Sequence, residues 1–270
     1  MFVQWPFVVK KARAFEVSTT NLNEITIKPA GDTAVQVFCG KEISEAVGDK
    51  VSALTAALRD FFAAEKNSGV GEVVPAFSSL LVRYDPLVTD YDEVAFRVGQ
   101  TAAGIELPAE GGSKGNIVEI PVCYGGEFGE DLADVAAHNG ITEQEVIDIH
   151  SGGLYRLYMI GFLPGFPYLG GLDKRICCPR LKSPRTKIPT GAVGIGGEQT
   201  GIYPMESPGG WRLIGRTPVT LFDPEGILPL PYKAGDMIKF VAIDKNEYDK
   251  ISAAEAERKE KLRREKEAGV

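Results

Sequence analysis

The chain has 270 residues, 44% of them hydrophobic and 25% charged, which suits a folded globular protein with room for two cores. Its formal net charge of −7 argues against nucleic acid or an anionic membrane as partner, because phosphate surfaces demand a basic face. Four cysteines are too few for a disulfide scaffold, no run reaches the ~18 apolar residues of a membrane helix, and residues 1–9 do not read as a secretory signal, so a cytoplasmic protein is expected.

Residues 1–23 carry no periodic pattern and are expected to form a poorly ordered leader. Residues 25–28 alternate, Gly31-Asp32 signals a turn, and residues 33–39 alternate again, which predicts an antiparallel hairpin. Ser44 then caps a helix carrying Val47, Val51, Leu54, Leu58, Phe61 and Phe62 at helical spacing and stopping near Asn67-Ser68-Gly69. Two further strands are expected over residues 70–77 and 79–84. Asp90 opens a second helix holding Tyr91, Val94, Val98 and Ala102. The order β-β-α-β-β-α predicts a small two-layer α+β domain over residues 24–108.

Residues 109–116 are polar and glycine-rich, and predict the domain boundary. Within them Gly111-Gly112-Ser113-Lys114-Gly115 matches the pattern of a nucleophile elbow. The strand before it and the helix after it are missing, so Ser113 is set aside as a nucleophile. Beyond the boundary, residues 117–123 read as a strand and residues 130–138 as a helix. A second helix opens at the capping box Thr142-Glu143-Gln144-Glu145 and ends near His150. Residues 155–160 form another expected strand.

That strand leads into residues 161–217, dense in Gly and Pro but interleaved with Phe162, Phe166, Tyr168, Tyr203 and Trp211. Linkers lack such large apolar anchors, so the stretch reads as irregular loops held at defined places on a rigid body. Residues 219–222 and 237–243 read as strands. Many short strands broken by Gly and Pro predict a mainly-β barrel or sandwich over residues 116–243, followed by a charged tail, helical or frayed, over residues 244–270.

No familiar cofactor loop survives inspection. Gly40-Lys41 lacks the rest of a phosphate loop, and Gly194-Ile195-Gly196 is followed by Gln199 where a dinucleotide fingerprint needs glycine. Two histidines, His138 and His150, and the adjacent Cys177-Cys178 give no closed zinc site, and no metal is expected. The basic quartet Arg180, Lys182, Arg185 and Lys187 reads either as a solvated strand or as an anion site. Convergence of all four would need a bend at Pro184, because alternate residues of an extended segment share a face. His150 is either a satisfied core histidine or an acid–base group beside the loops. Tyr168, Tyr203 and Trp211 are either core aromatics or the lining of a pocket near Pro204, Pro208, Gly209 and Gly210.

Several separated motifs, in order, carry a resemblance: Gly161-Phe162-Leu163-Pro164-Gly165-Phe166-Pro167-Tyr168-Leu169, Pro179-Arg180 with Ser183-Pro184-Arg185, Gly201-Ile202-Tyr203-Pro204, Pro208-Gly209-Gly210-Trp211 and Ile214-Gly215-Arg216-Thr217. With Gly31-Asp32, Val74-Pro75 and Tyr84-Asp85-Pro86, the chain resembles the B subunit of bacterial ATP-dependent 5-oxoprolinase over about residues 25–243. That family is also labelled allophanate hydrolase subunit 1 and includes an inhibitor of a sporulation histidine kinase. The resemblance implies an α+β N-terminal domain followed by a cyclophilin-like β-barrel. It also implies a complex with a homologous C subunit, similar to allophanate hydrolase subunit 2, and with an A subunit. The complex would use ATP to phosphorylate the lactam of 5-oxoproline and open it to glutamate, with no nucleotide motif in this chain.

On that footing Arg180 and Arg185 are expected to hold a phosphate or carboxylate, His150 to handle protons, and the glycine-rich backbone to stabilise an oxyanion. Tyr168, Lys182, Tyr203, Ser207, Gly209, Gly210, Trp211 and Arg216 complete the expected substrate-binding set. Two rival functions stand beside this one. The first is a carboxyltransferase-like module of a urea carboxylase, although the chain lacks a Met-Lys-Met biotin carrier motif; the second is a non-catalytic kinase inhibitor.

Overall fold

The computed structural model describes residues 15–17, 25–42, 44–65, 67–105 and 115–267. Apolar side chains collect into two main cores, and the chain divides into two units, Met1–Gly112 and Ser113–Val270.

In the first unit, alternation decides which strand face is buried. Ile25 and Ile27 point inward from β2 (Ile25–Pro29), while Lys28 is exposed. Strand β1 (Phe15–Val17) pairs with β2, which pairs with β3 (Ala34–Phe38) in the expected hairpin. After helix α1 (Glu45–Ala64), strands β4 (Val70–Pro75) and β5 (Ser79–Tyr84) complete an antiparallel sheet of order β1-β2-β3-β5-β4. Ser44 caps α1 through a 3.4 Å bond from the Val47 amide, and the helix lays Val47, Val51, Leu54, Leu58 and Phe62 into the core. Helix α2 (Tyr91–Ala103), capped by Asp90, adds Val94, Val98 and Ala102. One expectation fails here, because Phe15–Val17 is a paired strand within what read as an unpatterned leader. The rest of that leader, and residues 106–114 with Ser113, lie outside the described residues.

The second unit is built on a closed barrel of seven strands. In chain order they are β6 (Ile117–Tyr124), β7 (Tyr155–Ile160), β8 (Pro167–Gly170), β10 (Ala192–Gly196), β11 (Gln199–Ile202), β13 (Arg212–Arg216) and β14 (Met237–Ile243). Around the barrel the order is β10-β11-β8-β7-β14-β6-β13, and β14 runs parallel to β6 from Met237↔Ile117 to Ile243↔Cys123. Helices α3 (Leu132–Asn139) and α4 (Glu143–Gly152) contribute Leu132, Val135, Ala136 and Val146 to the barrel core. Both bonds of the expected capping box at Thr142 are present. Two short strands, β9 (Arg185–Ile188) and β12 (Ser207–Gly209), form a separate antiparallel ribbon.

Two strand expectations need correction. The Gly- and Pro-rich stretch supplies four of the seven barrel strands, β8, β10, β11 and β13, rather than irregular loops. Every residue of β10 is buried, so it has no polar-apolar alternation to read, and its glycines hide the strand further. Residues 219–222, expected as a strand, are not one. Pro218 and Pro224 flank them, the Val219 amide binds Thr217 Oγ1, and the Thr220 amide binds Glu255, which takes two amides out of any ladder. Leu221 anchors this segment in the core, with Val219 packed partly buried against it.

Helix α5 (Lys245–Glu267) follows and buries no residue. Polar contacts hold it instead. Lys259 Nζ reaches Asp223 at 2.9 Å and Glu225 at 3.2 Å, Arg263 also reaches Glu225, and Tyr248 packs on Phe128 at 4.6 Å between ring centroids. Among the described residues no helix is long and apolar enough to cross a membrane.

Candidate functional site

Trp211 organises the site. Its indole lies on the backbone of β10, where a Cβ at residue 196 would stand 2.4 Å from the indole nitrogen, so only glycine admits the ring. The glycines that imitate part of a dinucleotide fingerprint therefore serve packing. Phe166 meets Tyr168, Tyr203 and Trp211 edge-on at 5.2, 5.5 and 5.7 Å, in a cluster completed by Ile188, Ala192 and Leu213. Gly209 makes room in the same way, since a Cβ there would lie 2.6 Å from the Tyr203 hydroxyl. Phe162 leans on Phe166 at 5.5 Å yet is 66% exposed, and its φ of +66° is a left-handed conformation that costs a non-glycine residue about 1 kcal/mol or more.

The basic quartet divides into two pairs with different employment. Arg180 places its guanidinium 5.8 Å from the Trp211 ring centroid, on a loop tied down by the 2.7 Å bond from the Leu181 amide to the Gly210 carbonyl. Arg180 and Lys182 are both exposed, and among the described residues neither has a carboxylate partner. Arg185 is occupied: its Nη2 donates to Asp131 at 2.8 Å and its Nε lies 2.9 Å from Glu130. Lys187 pairs with Glu206 at 2.8 Å across an exposed surface. The hydrogen bond to Asp131 raises the Arg185 pKa, against the effect of burial.

Asp131, Glu130, Arg212 and Asp134 were absent from the sequence-derived set. Asp131 precedes the apolar start of α3 and reads as a helix cap, but it makes no capping bond. Its second oxygen accepts from the Leu213 amide at 2.7 Å, which ties β13 to Arg185. Arg212 bonds Asp134 at 2.6 Å beside it. Two buried polar atoms without a hydrogen-bond partner, Arg185 Nη1 and Ser207 Oγ, lie on the paired β9 and β12. Such atoms mark a place where a polar ligand would recover hydrogen bonds that the protein does not supply.

The remaining expected residues stand as follows. Burial raises the Tyr168 and Tyr203 phenols, and the charge on Arg180 opposes this in both, which places both rings within its field. Gly210 packs against the loop through its carbonyl. Arg216 donates to the Thr190 carbonyl at 2.9 Å, on the turn between β9 and β10, and is not a member of the aromatic cluster.

His150 is wholly buried among residues of the barrel core and stacks on Phe240 at 4.5 Å. Both ring nitrogens are used, Nδ1 with the Tyr124 hydroxyl and Nε2 with Thr200 Oγ1, each at 2.8 Å. Because Thr200 donates its own proton to the Gly194 carbonyl, it accepts from His150 Nε2–H, and Tyr124 donates to Nδ1. Burial pushes the imidazole pKa down to about 3, so the ring is neutral and locked at neutral pH.

The family model for the carboxyltransferase domain, subdomains C and D, matches residues 25–230. The chain is 45% identical to the B subunit of 5-oxoprolinase from Bacillus subtilis (strain 168) over 236 residues, 82% of this chain and 94% of that protein. It is 52% identical to the B subunit of 5-oxoprolinase from Escherichia coli O157:H7 over 124 residues, 46% of this chain and 57% of that protein. Among solved structures, the K. lactis urea amidolyase aligns with 92% of the chain at a TM-score of 0.76 and 20% identity, a likeness of fold; the chain spans 16% of that much longer protein.

Proposed function

Because this chain belongs to the family of 5-oxoprolinase B subunits, we propose that it serves as the B subunit of an ATP-dependent 5-oxoprolinase. There it joins an A subunit, together with a homologous C subunit, to convert 5-oxoproline to glutamate. The observation that carries this reading is the 45% identity sustained over 94% of a protein named for that role. In this reading the α+β domain spans residues 24–108, residues 116–243 form a cyclophilin-like barrel, and the charged tail follows.

The site supports a ligand-holding part. Arg180 over Trp211, with Lys182 beside it in sequence, offers exposed positive charge above an aromatic floor, which suits the carboxylate of 5-oxoproline or the oxygens of a phosphorylated lactam. Arg185, bound to Asp131 and Glu130, positions the β9–β12 ribbon, and His150 fastens α4 to the barrel. Tyr168, Tyr203, Ser207, Gly209 and Gly210 complete the proposed substrate-binding set. ATP is used by the complex and not held at this site, and the chain is inactive by itself.

Glutamate and phosphate release, measured together for the single chain and for a mixture with its A and C partners, test the proposal. Turnover only in the mixture is expected. ATP-dependent lactam opening by this chain alone would overturn the division of labour, and an inactive, fully assembled mixture would overturn the assignment. The carboxyltransferase label of the matched family model favours one second reading, a module that receives a carboxyl group from biotin on another protein. Turnover that required bicarbonate and a biotinylated partner would select it.

A further inference from the structure

The first unit carries a basic cleft that the barrel site leaves unused. It is open, has a volume of about 780 Å³, and falls within the ~300–1,000 Å³ range of small-molecule sites. The sheet builds one wall. Since Ile25 and Ile27 take the inner face of β2, Thr26 and Lys28 share the other face, and Phe38 on β3, a residue 38% exposed, stands opposite Thr26. Lys28 Nζ sits 5.8 Å from the Phe38 ring centroid. The chain then passes through Gly40 to Lys41. A Cβ at Gly40 would stand 2.5 Å from the Val47 side chain, so this glycine lets the loop press against the first turns of α1, which brings Lys41 to the rim.

Among the described residues, Lys28, Lys41 and Lys50 line the cleft against one carboxylate, Glu42, in a protein whose net charge is −7. Lys50 has a partner of its own. Lys28 and Lys41 have no carboxylate partner among the described residues. Among the described residues no arginine lines the cleft, and its cations are ammonium groups, which bind phosphate as point charges. Cys39 lines it too, but burial pushes its thiol up to about 11, which suits binding and not nucleophilic chemistry.

We propose that this cleft binds a phosphate-bearing small molecule with a planar ring, the nucleotide class. Phosphate oxygens meet Lys28 and Lys41, and the ring lies against the exposed part of Phe38, a contact that tolerates any base. The hydroxyls of Thr26 and Ser78 supply hydrogen bonds at the same wall. The proposal is independent of the barrel site, whose residues all lie in the second unit.

Calorimetric titration of the full chain with ADP, inorganic phosphate and adenosine tests it. ADP should bind more tightly than either fragment. Lys28→Glu with Lys41→Glu should weaken ADP at least tenfold, Phe38→Ala at least threefold, and Arg180→Gln in the barrel not at all. Should the charge reversals disturb folding, seen by circular dichroism, the Lys28→Gln/Lys41→Gln pair gives the same reading with a smaller loss. No measurable ADP binding, phosphate binding as tight as ADP, or an ADP affinity unmoved by the lysine changes would overturn the proposal. Loss of ADP with Arg180→Gln alone would move the nucleotide to the barrel and also overturn it.

Discussion

At the scale of single residues, His150 ties acid stability to the barrel core. Its folded pKa of about 3 lies below the ~6.5 of an unfolded histidine, so between these values the unfolded chain binds a proton that the folded chain refuses. Its contribution is therefore fully present above pH 6.5 and is lost as pH falls toward 3. Urea titrations should show about 2 kcal/mol less stability at pH 5 than at pH 7 from this group, and His150→Gln, though less stable throughout, should lack that share of the slope. An unchanged slope in the variant would show that the ring already charges in the folded state. The sequence offered both roles for His150, and could not decide because its partners, Tyr124 and Thr200, lie 26 and 50 residues away. The same holds for Arg185, whose carboxylate partner Asp131 is 54 residues upstream. For Trp211, Tyr203 and Tyr168 the sequence left core packing and pocket lining open; large aromatics set among glycines and prolines need a packed surrounding, and the three share one cluster.

Elements with strong periodicity were readable, and those without it were not. Helices α1, α2 and α4 announced themselves through caps and apolar stripes, and the caps at Ser44, Asp90 and Thr142 stand where expected. Strands β8, β10, β11 and β13 gave no such signal, because both faces of β10 are buried and glycine takes positions where β-branched residues would betray a strand. Helix α5 is the opposite case, with abundant charge and no buried residue. Burial of Asp223 alone would raise its pKa, but Lys259 and the amides of Leu228, Glu225 and Ile227 hold it well below the usual range. Since the helix is fastened mainly by ion pairs, salt should release it before the barrel yields. Hydrogen exchange is expected to show protection over residues 245–267 falling between 0.05 and 1 M NaCl while residues 117–124 stay protected. Equal loss in both would mean that α5 is part of the barrel's cooperative unit.

For the whole molecule, the two units present different chemistry to ligands. The second joins an aromatic floor to two exposed cations; the first holds a lysine cleft on its sheet. The change in pattern along the chain predicts a small α+β region followed by a β-rich one. The closure of the barrel was not, because it depends on β14 pairing in parallel with β6 across some 120 residues of sequence.

A ligand-facing Arg180 and an architectural Arg185 are separated by kcat/KM of the reconstituted complex, read beside thermal stability. Arg180→Gln should leave stability within about 0.5 kcal/mol and lower kcat/KM roughly ten- to hundredfold. Arg185→Gln should cost about 2 to 4 kcal/mol of stability, because it leaves Asp131, whose side chain is 6% exposed, with only the more distant Arg212, at 4.0 Å, as a cationic partner. Full kcat/KM in a stably folded Arg180→Gln complex would remove Arg180 from the ligand site.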